Sequence, residues 1–107
     1  MNAVTLINCF EVPAGREDEF VGLWKQINAY MQTKPGYLEH KLHRALSPDA
    51  RFRFVNVARW ESADHFGAAH DEGFRTLVGQ PEWAAFPRHP AIFEVVHTGE
   101  ATAATAT

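Results

Sequence analysis

Apolar residues, interrupted only by Asn8, fall on every second position from Val4 to Val12 and then on every third or fourth position from Phe20 to Met31, with Pro13 between the two regimes. That change of period commits the chain to a strand followed closely by a helix. Val4, Leu6, Asn8, Phe10 and Val12 share one face of the strand, while Thr5, Ile7, Cys9 and Glu11 share the other. The acidic run Glu17-Asp18-Glu19 suits the positive end of a helix dipole. Phe20, Leu23, Trp24, Ile27 and Met31 then form an apolar stripe that must stop before Pro35-Gly36.

Two alternating runs come next, Tyr37 to Arg44 and Arg51 to Trp60, and the turn chemistry of Leu46-Ser47-Pro48-Asp49 between them makes a hairpin. Ser62 is suited to cap a short helix carrying Phe66 and Ala69, and Asp71 to open a second through Phe74 and Leu77. Pro81, Pro87 and Pro90 punctuate an irregular stretch around Trp83 and Phe86, and Ile92 to His97 reads as a last strand. The order β-α-β-β-α-β is the ferredoxin-like α+β arrangement, an antiparallel sheet with helices on one face. Residues 1–99 are expected to form that domain, and 100–107, mostly Ala and Thr, a disordered tail. With 107 residues there is one core and no second layer for the sheet's other face. A symmetric homodimer that covers this face with a second copy is the expected solution.

Composition narrows the partners. The net charge of −3, with no concentrated basic face, argues against nucleic acid. No stretch approaches the roughly 18 apolar residues of a membrane span. The opening residues MNAVTLINCFEVPAG lack the basic start and apolar run of a signal peptide, and Cys9 has no second cysteine to bond. The chain is expected in the cytoplasm.

Asn8 lies in phase with four apolar residues, so if that face is buried a carboxamide is buried with it. A structural amide bonded to nearby backbone is the commoner explanation of such a residue. The third strand repeats the pattern, with Phe52, Phe54, Asn56, Ala58 and Trp60 on one face and Arg51, Arg53, Val55, Val57 and Arg59 on the other. Phe54, together with Phe66 and Phe74 from the short helices, is a candidate wall of a pocket for a flat, largely apolar ligand, with Asn56 supplying a polar point. Each aromatic alone is as readily core filler. Six histidines suggest a metal, but His40 and His43 leave opposite faces of a strand, and His65 and His70 stand about 140° apart on a helix. With one cysteine and no HExxH pattern, no metal site is expected. A histidine near neutral pH could still accept a proton.

The segments VTLINCFEV, KPGYLEHKLHRA and FRFVNVARWES, in that order and spacing, resemble the antibiotic biosynthesis monooxygenase family of small dimeric α/β-barrel proteins. The resemblance runs from about Val4 to Val96 and is closest to the cofactor-free anthrone oxygenases of aromatic polyketide pathways. It implies an enzyme without cofactor that oxidises an anthrone-like polyketide to a quinone with dioxygen. It also implies catalytic roles for Asn8 and Trp60, and substrate contacts from Asn56 and from His43 or His40. Some members carry a Tyr where this chain has Phe66, so a phenol donor is not expected there. A haem-degrading branch resembles the chain around NCFEVPAG and RWES, but it has a Trp and a haem-ligating His where this chain has Ala69 and Val78. That branch, a quinol monooxygenase and a non-enzymatic ligand-binding barrel are the alternatives. On the anthrone reading, Asn8 donates to an enolate oxygen or a peroxide. Trp60 shapes the oxygen-accessible end of the pocket, and His43, His40 or the substrate's own phenolate takes the proton.

Overall fold

A computed structural model describes residues 3–102. Its elements are β1 (Val4–Phe10), α1 (Glu17–Met31), β2 (Tyr37–Arg44), β3 (Phe54–Trp60), α2 (Ala63–Ala69), α3 (Glu72–Val78), a 3₁₀ turn (Pro81–Ala85) and β4 (Arg88–Phe93). The strands form one sheet in the order β2-β3-β1-β4, and every neighbouring pair is antiparallel. This is the ferredoxin-like arrangement read from the sequence. No helix among the described residues is long and apolar enough to cross a membrane.

The register places Phe10 opposite Phe54 and Asn8 opposite Asn56. Around Phe10 and Phe54 the space between sheet and helices is filled. Phe20 of α1 is fully buried, with ring centroids 4.8 Å from Phe10, 4.9 Å from Phe54, 5.5 Å from Phe86 and 6.0 Å from Trp83. The proline-punctuated stretch thus contributes two core aromatics, Trp83 and Phe86. The opposite sheet face carries Ile7, Cys9, Val55 and Val57, all half-buried, with an Arg59–Glu39 ion pair at 3.2 Å.

Local chemistry sets the boundaries. Ser62 caps α2 by accepting from the His65 N–H at 3.1 Å, and Asp71 caps α3 by accepting from the Phe74 N–H at 3.0 Å. Gly36, at φ +86°, turns the chain from α1 into β2, and any Cβ there would lie 2.3 Å from the His65 ring. β1 ends at Phe10 rather than Val12, and β3 begins at Phe54 rather than Arg51. The last strand differs most from its expected range of Ile92 to His97, since it spans Arg88–Phe93 and places Pro90 opposite Asn8. β4 is an edge strand, where a missing N–H is tolerated, so the proline lies within the strand instead of ending the loop before it. Of the tail expected at 100–107, residues 100–102 have no regular structure and the remainder lies outside the described residues.

Asp71 also fastens α1 to α3. It accepts from the Tyr30 hydroxyl at 2.8 Å and pairs with the Lys34 ammonium at 2.6 Å. The hydrogen bond from Lys34 first, then those from the Phe74 N–H and Tyr30, hold its carboxyl far below the ordinary 3.8. A carboxylate whose folded pKa is depressed contributes stability above its unfolded value and loses it as the pH falls from there toward the folded value. Acidification below about pH 4 should therefore lower the Tm of the parent. Asp71→Asn, with a lower Tm at pH 7, should lose less on the same acidification, as thermal melts followed by circular dichroism will register.

Candidate active site

Beyond the Phe10–Phe54 pair, the helical layer and the sheet separate to enclose a cavity of about 330 Å³. Its floor is the sheet: Leu6, Asn8 and Phe10 from β1, Asn56, Ala58 and Trp60 from β3, and Arg88 and Pro90 from β4. Trp24, Ile27, Asn28 and Met31 of α1 form one helical wall. Phe66, His70, Phe74 and Val78 of the two short helices form the other, with Tyr37 and Trp83 at the margins. At this size the cavity sits at the small end of ligand pockets, which run from ~300 to 1,000 Å³.

The walls are chiefly aromatic. Tyr37 and Phe66 both meet Trp60 edge-on, at 4.9 and 5.9 Å between centroids. Phe66 continues to His70 at 4.3 Å and His70 to Phe74 at 4.4 Å. Trp60 is 1% exposed, held on three sides by this arrangement and the sheet.

Against that lining, three polar atoms stand out. Asn8 Oδ1, Asn56 Oδ1 and Trp60 Nε1 are buried and have no hydrogen-bond partner. All three belong to residues that line the cavity. A buried group left unsatisfied costs about 1–3 kcal/mol, and most such groups in folded proteins find partners. Three of them on one cavity leave hydrogen-bonding capacity that a water or a ligand held there can complete. Asn28 differs, because it gives its amide N–H to the Trp24 carbonyl at 3.0 Å.

The residues singled out from the sequence separate into two groups. Asn8, Asn56, Trp60, Phe66 and Phe74 line the cavity together. His40, His43 and Phe54 do not. Phe54 is packed into the Phe20 cluster. His43 points to the other sheet face with Lys41 and Glu39, and its Nδ1 lies 3.3 Å from the Val55 carbonyl. His40 is on the helix side but outside the lining, edge-on to Trp24 at 4.9 Å and hydrogen-bonded through Nδ1 to the Tyr37 hydroxyl. Burial lowers the His40 pKa and raises that of Tyr37, so both are neutral near pH 7.

Sequence reasoning missed Tyr37, Asn28, Arg88 and His70. Tyr37 and Arg88 begin strands, where period-2 patterns are weakest. Asn28 hides beside Ile27 in a helical stripe. The spacing of His70 to His65 argues only against a shared metal, whereas its real neighbours are Phe66 and Phe74, four residues to either side. Among the described residues no group of three or more His, Cys, Asp or Glu is placed to hold a metal ion.

A family model described as antibiotic biosynthesis monooxygenase matches residues 3–86. Among solved structures, a Shewanella loihica protein provisionally described as a monooxygenase is 32% identical, with a TM-score of 0.80 over 91% of this chain and 97% of its own. SnoaB, a cofactor-independent oxygenase from Streptomyces nogalater, is 27% identical, with a TM-score of 0.78 over 92% of this chain and 97% of its own. No curated protein matches the sequence.

Proposed function

The chain belongs to the antibiotic biosynthesis monooxygenase family, and from that membership and its cavity we propose that it oxidises an anthrone-like aromatic polyketide to a quinone with dioxygen, using no cofactor. The observation that carries this reading is the set of unsatisfied polar atoms on Asn8, Asn56 and Trp60 within an aromatic cavity. A hydroxylated tricyclic ketone complements that set: its phenols donate to amide oxygens, its carbonyl accepts from the indole N–H, and its faces fit aromatic walls. The similarity to SnoaB, itself a cofactor-independent oxygenase, supports the same chemistry.

Triplet dioxygen reacts slowly with closed-shell molecules unless they release one electron readily. Removing a proton from the central methylene of an anthrone leaves an aromatic enolate that does so. The protein's part is to hold the polycycle, exclude water and stabilise the enolate oxygen with fixed donors. Trp60 offers one N–H donor. The Asn8 carboxamide, turned about its terminal torsion, offers either its oxygen or its NH₂ as charge moves from enolate to peroxide.

We assign the active form to a homodimer in the cytoplasm. The radius of gyration, 15.7 Å, exceeds the roughly 13 Å of a compact chain of this length. Ile92 and Phe93 at the end of β4, and Val95 and Val96 just beyond it, are exposed, with Val96 at 88%. Together with the uncovered sheet face they form an apolar surface suited to a second copy.

The test is oxygen uptake by protein dialysed against chelator and shown free of flavin. Addition of a synthetic hydroxyanthrone should consume one dioxygen per quinone formed, and Trp60→Phe should slow turnover about tenfold or more by removing one donor while keeping the wall. Uptake no faster than the uncatalysed reaction would refute the enzyme and leave a binding protein.

A further inference from the structure

The cavity lining includes a histidine, His70, whose chemistry the foregoing does not use. His70 follows α2 and precedes the Asp71 cap of α3, so its ring is carried on the junction of two helices. Its Nδ1 lies 2.6 Å from the Phe66 carbonyl oxygen. A carbonyl can only accept, so Nδ1 carries the hydrogen and the neutral ring bears its lone pair on Nε2. No residue among those described hydrogen-bonds Nε2. Phe66 and Phe74 flank the ring at 4.3 and 4.4 Å and fix its plane, and the residue lines the cavity. Such a histidine, locked in one tautomer by a backbone bond, has the design of a positioned base.

Resting on the oxygenase reading, we propose that His70 is the catalytic base, and that its Nε2 removes the methylene proton of the bound anthrone. The C–H bond breaks, an N–H bond forms on Nε2, and the electron pair remains on the substrate as enolate. One electron passes from the enolate to dioxygen, and the resulting radical pair couples to a carbon-bound peroxide. The imidazolium returns its proton to give the hydroperoxide. His70 then takes the second methylene proton as the O–O bond breaks, which leaves the quinone carbonyl and hydroxide, and its proton completes water. The base ends neutral, and one dioxygen has become one carbonyl oxygen and one water.

Position supports this division of labour. His70 belongs to the helical wall, whereas Asn8 and Asn56 belong to the sheet floor, so base and amides flank a flat ligand from different sides. Of the charges beside His70, Asp71 is held by Tyr30 and Lys34, and Arg75 by the His70 carbonyl at 2.9 Å, while Arg88 belongs to the β4 edge of the floor rather than to the helical wall. His40 and His43, which also suited the task by type, lie outside the cavity.

His70→Asn is the informative variant, because its amide nitrogen can keep the bond to the Phe66 carbonyl while Nε2 is lost. Turnover of hydroxyanthrone should fall about a hundredfold with KM within about threefold, and deuterium at the methylene should slow the variant by a primary isotope effect. In His70→Ala, free imidazole should restore turnover in proportion to its concentration, a readout that compares the same preparation with and without imidazole and is independent of any loss of folded protein. If wild-type protein turns over and His70→Asn matches it, or imidazole restores nothing, His70 is not the base and the oxygenase reading stands. If wild-type protein does not turn over, both fall.

Discussion

Asn8→Leu should yield a protein more stable than its parent and nearly inactive. Asn8 Oδ1 is buried without a partner, so the native fold carries the cost of a desolvated amide. Leucine has the same branched outline, the cavity beside it has room for its larger volume, and it has nothing to leave unsatisfied. Replacing the amide should raise stability by ~1 kcal/mol, read as a higher urea midpoint at unchanged slope. The same change removes a group proposed to stabilise developing negative charge, which in comparable sites lowers kcat ~10²–10³-fold. Asn56→Leu, directly across the strand pair, should behave alike. Opposite signs for stability and activity are what a functional amide gives. A structural amide gives the reverse, so a destabilised Asn8→Leu with full turnover would remove Asn8 from the site.

The second large effect is on stability alone. Phe20 has no exposed surface and stands at the centre of four aromatic rings from β1, β3 and the 3₁₀ region. Phe20→Ala deletes a full ring where the sheet and the four surrounding aromatics cannot close the gap, at a cost of ~3–5 kcal/mol. For a domain with ~5–15 kcal/mol in total, that is a large fraction. Tm should drop by at least ~12 °C. A drop of only ~2 °C would show that the filled end of the fold is not its chief support, and that the opposite sheet face, packed on a second copy, bears more of the stability.

Much of this arrangement could be read from the sequence because it is written in local period. The β1-to-α1 change, the Ser62 and Asp71 caps and the shared faces of Asn8, Asn56 and Trp60 all follow from side-chain alternation and cap chemistry. Register then did what the sequence could not foretell, setting Asn8 opposite Asn56 and not one pair away. Pro90 misled because proline is read as a breaker, whereas an edge strand needs no hydrogen from it. His40 and His43 alternate correctly, yet the Tyr37/Glu39 irregularity and the edge position of β2 keep His40 off the cavity lining. His70 was invisible for another reason. Its four-residue spacing to Phe66 and Phe74 crosses a helix break, so no single helical period contains all three.

The most direct test mixes protein and hydroxyanthrone without oxygen in a stopped-flow spectrometer, then admits dioxygen. Wild-type protein should develop the long-wavelength absorbance of a bound enolate at neutral pH, and oxygen should convert it to quinone in one phase. Asn8→Leu should bind the anthrone with little enolate and slow conversion. Enolate and quinone formed as fast with Asn8→Leu as with wild type, or only at the rate seen in buffer, would contradict an oxygenase built on this cavity.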